Sequence, residues 1–390
     1  MQAFALEPLK AEFQKAIIVK DIDNIKARIV DYDNCNKNEI QEALKIENAS
    51  TIIYSRNGDI NIDELDLVVT YSEDDYNYQK DNNIKNDICA VYDINVDGYK
   101  YSEIISVTYE NNVDVSVINT FKRNLTENSF VVNLYNQFVA ETKLDIKNNI
   151  MDSNITRSTI VANVKNTNYF IGNYTINGTN YPLLVYKNNI TYQALRINDT
   201  IPQSDFYDII AYVTTIPGTN LSTAEAEYLT NYAVSGLYNS TYGNAVVIKN
   251  TETFFINDHT NTDEFLDMTP RQNMTKANNK TINLSLGYPP SFAFSFDFTV
   301  TTGSNVSLNY TFEPYGRSSI KYEAWLPWLT ILKPCLSTSQ FHHVCGIYMQ
   351  TDTHTLNMRV GTHHGYYYMN DESHVILAGL TQTINYNTGE

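Results

Sequence analysis

Alternation of large apolar and polar residues constrains the fold of this sequence more than any other feature. In residues 292–300 every second position is Phe or Val, and residues 306–312 alternate Val, Leu, Tyr and Phe with Ser, Asn and Thr. A period of two places the apolar side chains on one face of a β-strand. Many short strands with frequent turns are typical of sandwiches and jelly rolls. We therefore predict a mainly β chain of antiparallel β-sandwiches, jelly-roll-like in architecture.

Composition supports this prediction and bounds the number of domains. The 390 residues include 30 Tyr and 16 Phe, and hydrophobic residues make up 43% of the chain against 18% charged residues. Aromatic and β-branched residues pack well on a pleated, half-buried surface. A chain of this length is expected to hold two or three domains. We predict an N-terminal helix with a β anchoring domain at 1–150, a glycosylated β domain at 151–279 and a final sandwich at 280–390.

Turn dipeptides and apolar spacing predict further elements. Asn-Gly or Asp-Gly pairs at residues 57–58, 97–98 and 177–178 suit the tight turns of β-hairpins. Residues 3–31 are predicted to form a helix, because apolar residues recur there at spacings of three and four.

Three shorter segments are assigned from local patterns. Val alternates with Asp and Ser across residues 113–117, and residues 130–134 carry four apolar residues in five. Both segments are predicted to be strands. Residues 222–237 are predicted to hold a short helix that Ser222 caps.

The charge balance restricts the possible partners. The formal net charge is −17, and no run of basic residues occurs. Because nucleic-acid binding needs Lys and Arg to displace counterions from phosphates, we expect no nucleic-acid partner. No stretch reaches the roughly 20 apolar residues of a membrane span, so we expect no transmembrane segment. The first 21 residues also lack the pattern of a signal peptide. Either the numbering is that of a mature form, or export does not use a signal peptide, as for a virion protein that leaves the cell inside a particle.

Acceptor motifs for N-glycosylation, Asn-x-Ser/Thr, are concentrated in the middle of the chain. Twelve of the fourteen motifs lie between residues 154 and 309. That segment has 23 Asn residues, of which chance predicts about five in such motifs. We predict glycosylation at Asn154, Asn173, Asn177, Asn189, Asn198, Asn220, Asn239, Asn273, Asn279, Asn283, Asn305 and Asn309.

Strand parity indicates which of these Asn side chains point outward. If the strands form, Asn305 and Asn309 lie on the face opposite the apolar residues of 306–312. By the same rule Asn173 and Asn177 lie opposite Tyr174 and Ile176. A glycan requires an outward Asn, although any soluble strand also presents one. The last 80 residues contain no acceptor motif, so we expect a contact surface there.

The cysteines are candidate disulfide partners, and the histidines are candidate metal ligands. Cys35 and Cys89 lie in the first third of the chain, and Cys335 and Cys345 lie near its end. An even number in two groups predicts disulfides, with Cys335–Cys345 preferred, although four cysteines allow three pairings. Six of the seven His fall in the last 50 residues, but the usual spacing of zinc ligands is absent. We expect no metal and no other cofactor.

Two segments near the end of the chain resemble a known family. Residues 340–348 read Gln-Phe-His-His-Val-Cys-Gly-Ile-Tyr, and residues 355–361 read Thr-Leu-Asn-Met-Arg-Val-Gly. Together they are similar to a strand pair of concanavalin-A-like, laminin-G-type sandwiches, and residues 292–300 are similar to an early strand of that family. The resemblance implies a lectin-like sandwich. An obvious calcium-binding Asp/Asn pair of that family is missing here.

The overall composition carries a second, looser resemblance. The abundance of Asn, Thr and Tyr, the dense acceptor motifs and the scarcity of Lys are similar to surface proteins of thermoacidophilic archaea and to the turret or spike proteins of their viruses. This resemblance implies location on a virion surface, or on a cell surface, with glycans as a coat. It implies as partners other virion or surface-layer proteins, further copies of the chain, and a host receptor or glycan.

Aromatic residues near the end of the chain are the predicted contacts for such a receptor. Exposed aromatic rings stack on sugars and anchor protein interfaces. The two Trp also fit a core position equally well. The predicted ligand contacts are Trp325, Trp328, Tyr366, Tyr367 and Tyr368.

The expected function follows from these features and from the motifs that are missing. The sequence has no Gly-x-Gly-x-x-Gly, no phosphate-binding loop, no His-Glu-x-x-His and no Gly-x-Ser-x-Gly. We expect a non-enzymatic virion surface protein, a turret, spike or fibre, that mediates host attachment. Two alternatives stay open: a cellular surface-layer or adhesin component, and a glycan-degrading enzyme whose two carboxylates would leave no sequence signature.

Overall fold

A computed structural model gives the structure of the protein. The residues that it describes are 17–22, 25–45, 50–58, 60–65, 69–71, 83–96, 99–151, 158–176, 178–197, 205–217, 225, 229, 246–257, 263–269, 274–277, 282–286, 292–296, 305–325, 341–351, 355–368 and 371–387.

The described elements are mostly strands. The helices with described bounds are α1 (Lys37–Leu44), α2 (Val115–Leu125) and α3 (Asn128–Met151). The first strands are β1 (Ile17–Ile22), β2 (Ile25–Asp31), β3 (Ser50–Tyr54), β4 (Val69–Tyr71), β5 (Ile84–Val96), β6 (Tyr99–Glu110), β7 (Ser158–Ile176), β8 (Thr179–Ile197), β9 (Asp205–Pro217) and β10 (Val246–Asn257). The remaining strands are β11 (Glu264–Thr269), β12 (Met274–Ala277), β13 (Ile282–Leu286), β14 (Phe292–Phe296), β15 (Asn305–Thr311), β16 (Arg317–Trp325), β17 (Phe341–Thr351), β18 (Thr355–Tyr368) and β19 (Asp371–Asn387).

These strands form two large sheets and one small one. The ten-stranded sheet has the order β1-β2-β3-β5-β6-β7-β8-β9-β17-β11 and is antiparallel except where β2 meets β3 and β6 meets β7. The seven-stranded sheet is antiparallel, in the order β12-β15-β16-β10-β18-β19-β4, and β13 pairs with β14. The prediction of a mainly β fold with large antiparallel sheets is confirmed.

Two hydrophobic cores lie on opposite faces of the ten-stranded sheet. Neighbouring residues alternate between them, so that Ile52 belongs to one core and Ile53 to the other. The first core contains the buried faces of α2 and α3. The second contains residues of both large sheets, such as Ile209 from β9 and Phe255 from β10. The described part of the protein is therefore layered, with helices on one face of the ten-stranded sheet and the seven-stranded sheet on the other.

Helices α2 and α3 occupy two segments that the sequence predicted to be strands, so both predictions are wrong. Asp114 caps α2 by accepting a hydrogen bond from the Ser116 backbone N–H at 2.7 Å. In α3 the buried residues Phe130, Leu134 and Phe138 recur every four positions. Windows of five residues cannot distinguish this period from a strand pattern, whereas the longer segments fit a helix.

The predicted helix over residues 3–31 is also wrong where the structure describes it. Residues 17–22 and 25–31 form the antiparallel strand pair β1–β2, in which Ile22 pairs with Ile25. Ile and Val dominate both strands, and their branched Cβ atoms favour extended backbone over helix. Residues 1–16 lie outside the described residues.

Two of the three predicted hairpins are confirmed. Val96 pairs with Tyr99 at the end of β5–β6, and Ile176 pairs with Thr179 at the end of β7–β8. The turn at residues 57–58 does not close a hairpin. The chain instead turns away after β3, with Gly58 at φ 69°. The Lys122 ammonium fixes this turn by donating a hydrogen bond to the Asn57 carbonyl at 2.6 Å.

The strand at residues 305–311 follows its predicted parity where side chains are described. Tyr310 packs against the core between the sheets together with Phe312, while Asn309 is exposed. In the segment 222–237, the described residues Glu225 and Leu229 are helical, as predicted.

The two large sheets mix strands from all three predicted domains. The ten-stranded sheet takes β1 to β3, β5 to β9 and β11 from the first two segments and β17 from the third. The seven-stranded sheet takes β4 from the first, β10 from the second and β18 from the third. The boundaries at residues 150 and 279 therefore do not separate one sheet from another. Within the part of the chain that is described, no helix combines the length and the apolar composition needed to cross a membrane.

Candidate ligand-binding cavity

A polar cavity of about 200 Å³ lies between α3 and strands β6, β7 and β8 of the ten-stranded sheet. It is smaller than the roughly 300–1,000 Å³ of sites for drug-sized ligands. At about 30 Å³ for each water molecule it has room for about six or seven. Its lining residues are Glu103, Leu134, Gln137, Phe138, Lys165, Asn166, Thr167, Lys187, Asn189, Ile190 and Thr191.

Strand register brings the polar side chains to one place. In the parallel pair β6–β7, Glu103 lies beside Lys165. In the antiparallel pair β7–β8, Lys165 lies opposite Thr191, and Thr167 lies opposite Asn189. Because side chains alternate along a strand, residues two apart share a face, which here is the face under α3. The three strands therefore present one patch of charged, amide and hydroxyl groups to the cavity.

Glu103 provides a buried carboxylate on the sheet side of the cavity. Its side chain is 3% exposed, and Oε1 accepts a hydrogen bond from the Thr167 hydroxyl at 2.8 Å. The same hydroxyl lies 3.3 Å from Asn189 Oδ1. A buried carboxylate needs such partners, because removal from water disfavours its charge. The Thr167 contact holds the carboxylate in a fixed orientation beside the cavity.

Lys187 provides a buried ammonium group at another part of the lining. Its Nζ pairs with Glu225 Oε1, which also accepts a hydrogen bond from the Tyr169 hydroxyl at 2.8 Å. All three residues are buried. Burial and the neighbouring Glu225 carboxylate raise the pKa of Tyr169 well above its ordinary value, so its hydroxyl stays protonated and donates. This cluster fixes the Lys187 side chain in the sheet.

Lys165 is held differently from Lys187. Its ammonium lies 4.7 Å from the centroid of the Tyr101 ring, within the range of a cation–π interaction. The Tyr101 hydroxyl in turn donates to the Phe138 carbonyl of α3 at 3.1 Å. The half-buried Lys165 side chain is therefore positioned by the contact between sheet and helix.

The helix supplies an apolar wall to the same cavity. Leu134 and Phe138 are both buried and lie one turn apart on α3. The Phe138 ring packs edge-on against Tyr92, with centroids 5.2 Å apart and planes at 83°. Gln137 lies beside them with an exposed side chain. The cavity thus combines a fixed aromatic surface with groups that donate and accept hydrogen bonds.

The aromatic residues predicted as ligand contacts lie elsewhere. Trp325 ends β16, and Tyr366, Tyr367 and Tyr368 end β18, on strands that flank β10 in the seven-stranded sheet. Tyr366 pairs with Ile248, and Trp325 lies two residues beyond Glu323, the partner of Asn250. The backbones of these residues therefore lie at the same end of the seven-stranded sheet, on either side of β10 and away from the cavity lining. Trp328 lies outside the described residues.

The predicted glycosylation sites differ in their surroundings. The outward orientation of Asn309 is confirmed, but that of Asn173 is wrong. Asn173 is 7% exposed, because the end of β6 and the turn after it lie against it: its Nδ2 donates to the Asn112 carbonyl at 2.7 Å, and its backbone N–H donates to Glu110 Oε2 at 2.8 Å. Asn283 and Asn305 lie in β13 and β15. Outside the described residues are Asn154, Asn177, Asn198, Asn220, Asn239, Asn273 and Asn279.

Asn189 belongs to both an acceptor motif and the cavity. It and Thr191, the first and third residues of the motif, both line the cavity. A glycan on Asn189 would have to occupy the space in front of Thr167 and Glu103. The arrangement favours an unmodified Asn189 amide.

The described cysteines Cys35, Cys89 and Cys345 are free thiols, so the predicted disulfide between Cys35 and Cys89 is wrong. Cys35 and Cys89 belong to different cores on opposite faces of the ten-stranded sheet. Cys345 is buried between the two large sheets, and its predicted partner Cys335 lies outside the described residues. Burial raises the pKa of the Cys345 thiol to about 12, which leaves it unreactive at neutral pH.

The strand pair that carried the resemblance to laminin-G-type sandwiches does not form. Residues 341–351 pair with β9 and β11 in the ten-stranded sheet, whereas residues 355–368 pair with β10 and β19 in the seven-stranded sheet. Neighbouring strands in sequence therefore lie in different layers. Among the described residues no group of three or more His, Cys, Asp or Glu is placed to hold a metal ion.

Sequence reasoning missed the residues that line the cavity. A signal was present, because Lys165 and Thr167 in one strand and Lys187, Asn189 and Thr191 in the next alternate with other residues along one face. An alternating polar face normally indicates solvent exposure. Only the presence of α3 over this face turns the polar residues into a cavity lining, and residues 130–134 of α3 were predicted to be a strand.

Comparisons with known proteins give no family for this chain. No family model matches it, and no curated protein matches it. Among solved structures, Clostridium perfringens delta-toxin is 12% identical with a TM-score of 0.29, over 59% of this chain and 89% of that chain. A pore forming protein is 7% identical with a TM-score of 0.31, over 55% and 96%. The membrane-inserted form of Clostridium perfringens NetB toxin is 7% identical with a TM-score of 0.24, over 58% and 97%. TM-scores this low carry no argument about function.

Proposed function

We propose that this chain is a non-catalytic attachment protein, displayed on the surface of a virion, that binds a small polar ligand of the host surface in the cavity under α3. The observation that carries the proposal is the cavity itself. Its lining combines a carboxylate fixed by Thr167, an ammonium fixed by Glu225 and the apolar wall of Phe138. Pre-positioned polar groups beside an apolar surface are typical of small-molecule sites.

The lining favours binding over hydrolysis of a glycan. Glycosidases use two carboxyl groups, one on each side of the bond that breaks. Among the residues that line this cavity, Glu103 alone carries a carboxylate. The nearby Glu225 carboxylate is bound by Lys187 and Tyr169 instead. A glycan-degrading activity would need a second carboxylate from elsewhere.

Display on a surface is supported by the acceptor motifs for glycans. Twelve motifs lie between residues 154 and 309. In the described strand β15, Asn309 presents an exposed side chain within its motif. Immunogold labelling of the purified source with an antibody against this chain tests the location. Labelled virions support the proposal, and labelled cell envelopes would favour the surface-layer or adhesin alternative.

Binding is tested on a glycan microarray that carries both neutral and acidic host-type glycans. The full-length chain is compared with Gln137→Leu, which replaces an exposed amide at the cavity, and with Asn119→Leu, which makes the same kind of change on the exposed face of α2. We expect the wild type and Asn119→Leu to bind the same glycans and Gln137→Leu to lose at least ten-fold in apparent affinity. Equal binding by all three proteins would contradict a role for the cavity, as would the absence of any bound glycan.

A further inference from the structure

The charges around the cavity occur as neighbouring opposite pairs. Lys187 forms an ion pair with Glu225, and both side chains are about nine-tenths buried or more. Glu103 and Lys165 are cross-strand neighbours in the pair β6–β7. Since a buried charge is costly unless it is paired, each charge here is balanced by a group of the protein itself. The formal charges of Glu103, Lys165, Lys187 and Glu225 therefore sum to zero.

The two ammonium groups are already engaged. Lys187 Nζ is bound by Glu225, and Lys165 Nζ lies over the Tyr101 ring. A ligand carboxylate would have to share its ammonium partner with Glu225 or with the Tyr101 ring. It would also lie in the same small cavity as the Glu103 carboxylate, and like charges at short distance repel strongly in a poorly solvated site. The arrangement therefore disfavours an acidic ligand.

The other lining groups suit hydroxyls that donate and accept at the same time. Amides and hydroxyls of Gln137, Asn189 and Thr191 offer both donors and acceptors. Glu103 accepts, and Phe138 presents an apolar surface for C–H groups. A volume of about 200 Å³ has room for one small ring.

We infer that the cavity holds a single neutral sugar residue, such as the terminal or branch residue of a host glycan, and discriminates against acidic sugars. This inference rests on the proposed binding function and specifies its ligand. The hydroxyls of one ring would contact Glu103, Asn189 and Gln137, and its apolar face would lie on Phe138. The internally balanced charges set the preference for a neutral ligand.

The test is calorimetric titration of the full-length chain with two sets of probes. The neutral probes are the methyl glycosides of glucose, galactose, mannose and N-acetylglucosamine. The acidic probes are the methyl glycosides of glucuronic acid and N-acetylneuraminic acid. We expect at least one neutral probe to bind at least ten-fold more tightly than either acidic probe.

A charge-changing variant tests the reason for that preference. Glu103→Gln keeps the shape of the side chain but leaves the positive charge of Lys165 unbalanced. We expect it to bind the neutral probe at least ten-fold more weakly and the acidic probes at least ten-fold more tightly than the wild type does. Gln137→Leu, which leaves every charge in place, should weaken neutral binding without gaining acidic binding, and it provides the test if Glu103→Gln does not fold.

The outcomes separate this inference from the proposed function. If the wild type prefers an acidic probe, the inference of a neutral ligand is overturned while glycan binding stands. If Glu103→Gln folds and gains no affinity for acidic probes, charge balance is not what sets the preference and the inference is overturned. If neither set of probes binds, the proposed function fails and the inference fails with it.

Discussion

The buried ion pair between Lys187 and Glu225 shows how single residues hold the cavity in place. Lys187 comes from strand β8, and Glu225 comes from a helical segment that also buries Leu229 in the core under α2 and α3. The pair therefore fastens that segment to the sheet beside the cavity. Buried pairs are strongly destabilising to break, because the remaining charge is left without its partner.

We expect Lys187→Met to lower the free energy of unfolding by about 3–5 kcal/mol, because it leaves the Glu225 carboxylate buried without a counter-charge. The double variant Lys187→Met with Glu225→Gln should regain more than half of this loss. Urea denaturation followed by circular dichroism of the wild type, both single variants and the double variant gives four values, and this double-mutant cycle gives the coupling.

The matched control for this pair lies on the surface. Glu252→Gln removes one partner of the Arg317–Glu252 ion pair, in which Arg317 is 48% exposed. Exposed pairs contribute about 0–1 kcal/mol, so this change should cost little. Equal losses for Lys187→Met and Glu252→Gln would contradict a special role for the buried pair.

At the residue scale, the sequence indicated candidate side chains only where the backbone followed the assumed pattern. Asn309 is exposed as strand parity predicted, whereas contacts with Glu110 and Asn112 bury Asn173. None of the cavity residues was predicted to bind a ligand, and Asn189 was predicted only as a glycosylation site. Nothing in the sequence distinguishes Glu103 from the many surface carboxylates of an acidic chain. Its burial depends on the elements that pack over it.

Helix α3 is the element that makes the cavity, and its apolar face fixes its position. Phe130, Leu134 and Phe138 are buried along that face, and Tyr101 from β6 donates a hydrogen bond to the helix backbone at Phe138. The sequence predicted a strand at residues 130–134, near the start of this helix, because four of these five residues are apolar. The tertiary contact with the sheet, which no local window contains, favours the helix.

We expect Phe138→Ala to lower the free energy of unfolding by about 3–5 kcal/mol, since it removes a buried ring that packs against Tyr92 and leaves a void. It should also weaken ligand binding by removing the apolar wall. Asn133→Ala, on the exposed face of the same helix, should change stability by less than about 0.5 kcal/mol. Chemical denaturation measures both, and a small loss for Phe138→Ala would show that α3 is not packed as described.

On the scale of the whole molecule, the fold class was predictable and the topology was not. Alternating apolar residues identified strands such as β15 from local sequence alone. The order of strands depends on contacts between distant segments, such as β17 with β9, which are more than a hundred residues apart. Two adjacent strands, β17 and β18, even lie in different sheets. No pattern within one segment carries that information.

Buried histidines make the stability of the whole molecule depend on pH. His364 in β18 is buried between the sheets, with Nδ1 3.1 Å from the Thr251 hydroxyl, and burial lowers its pKa to about 3. Between pH 6.5 and about 3 the unfolded chain binds a proton at this residue that the folded chain does not bind. The stability that the neutral side chain contributes is therefore lost as the pH falls through this window.

We expect His364→Gln to flatten the dependence of the free energy of unfolding on pH by up to about 1.4 kcal/mol per pH unit between pH 6 and 4. His363, whose pKa is lowered to about 3 by burial and by the neighbouring Arg317 and His364, remains in both proteins, so the difference reports His364 together with its effect on His363. Urea denaturation at several pH values provides the measurement. Parallel curves of the free energy of unfolding against pH for the two proteins would show that His364 is protonated equally in the folded and unfolded states, which would contradict this prediction.

Hydrogen–deuterium exchange with and without a bound glycan locates the binding site directly. With the tightest ligand from the microarray or the titrations, we expect slower exchange in peptides that cover Gln137 and Phe138 of α3 and residues 187–191 of β8, which line the cavity. Slower exchange confined to Trp325 and residues 366–368, at the end of the seven-stranded sheet, would contradict the cavity as the binding site and favour the aromatic contacts instead.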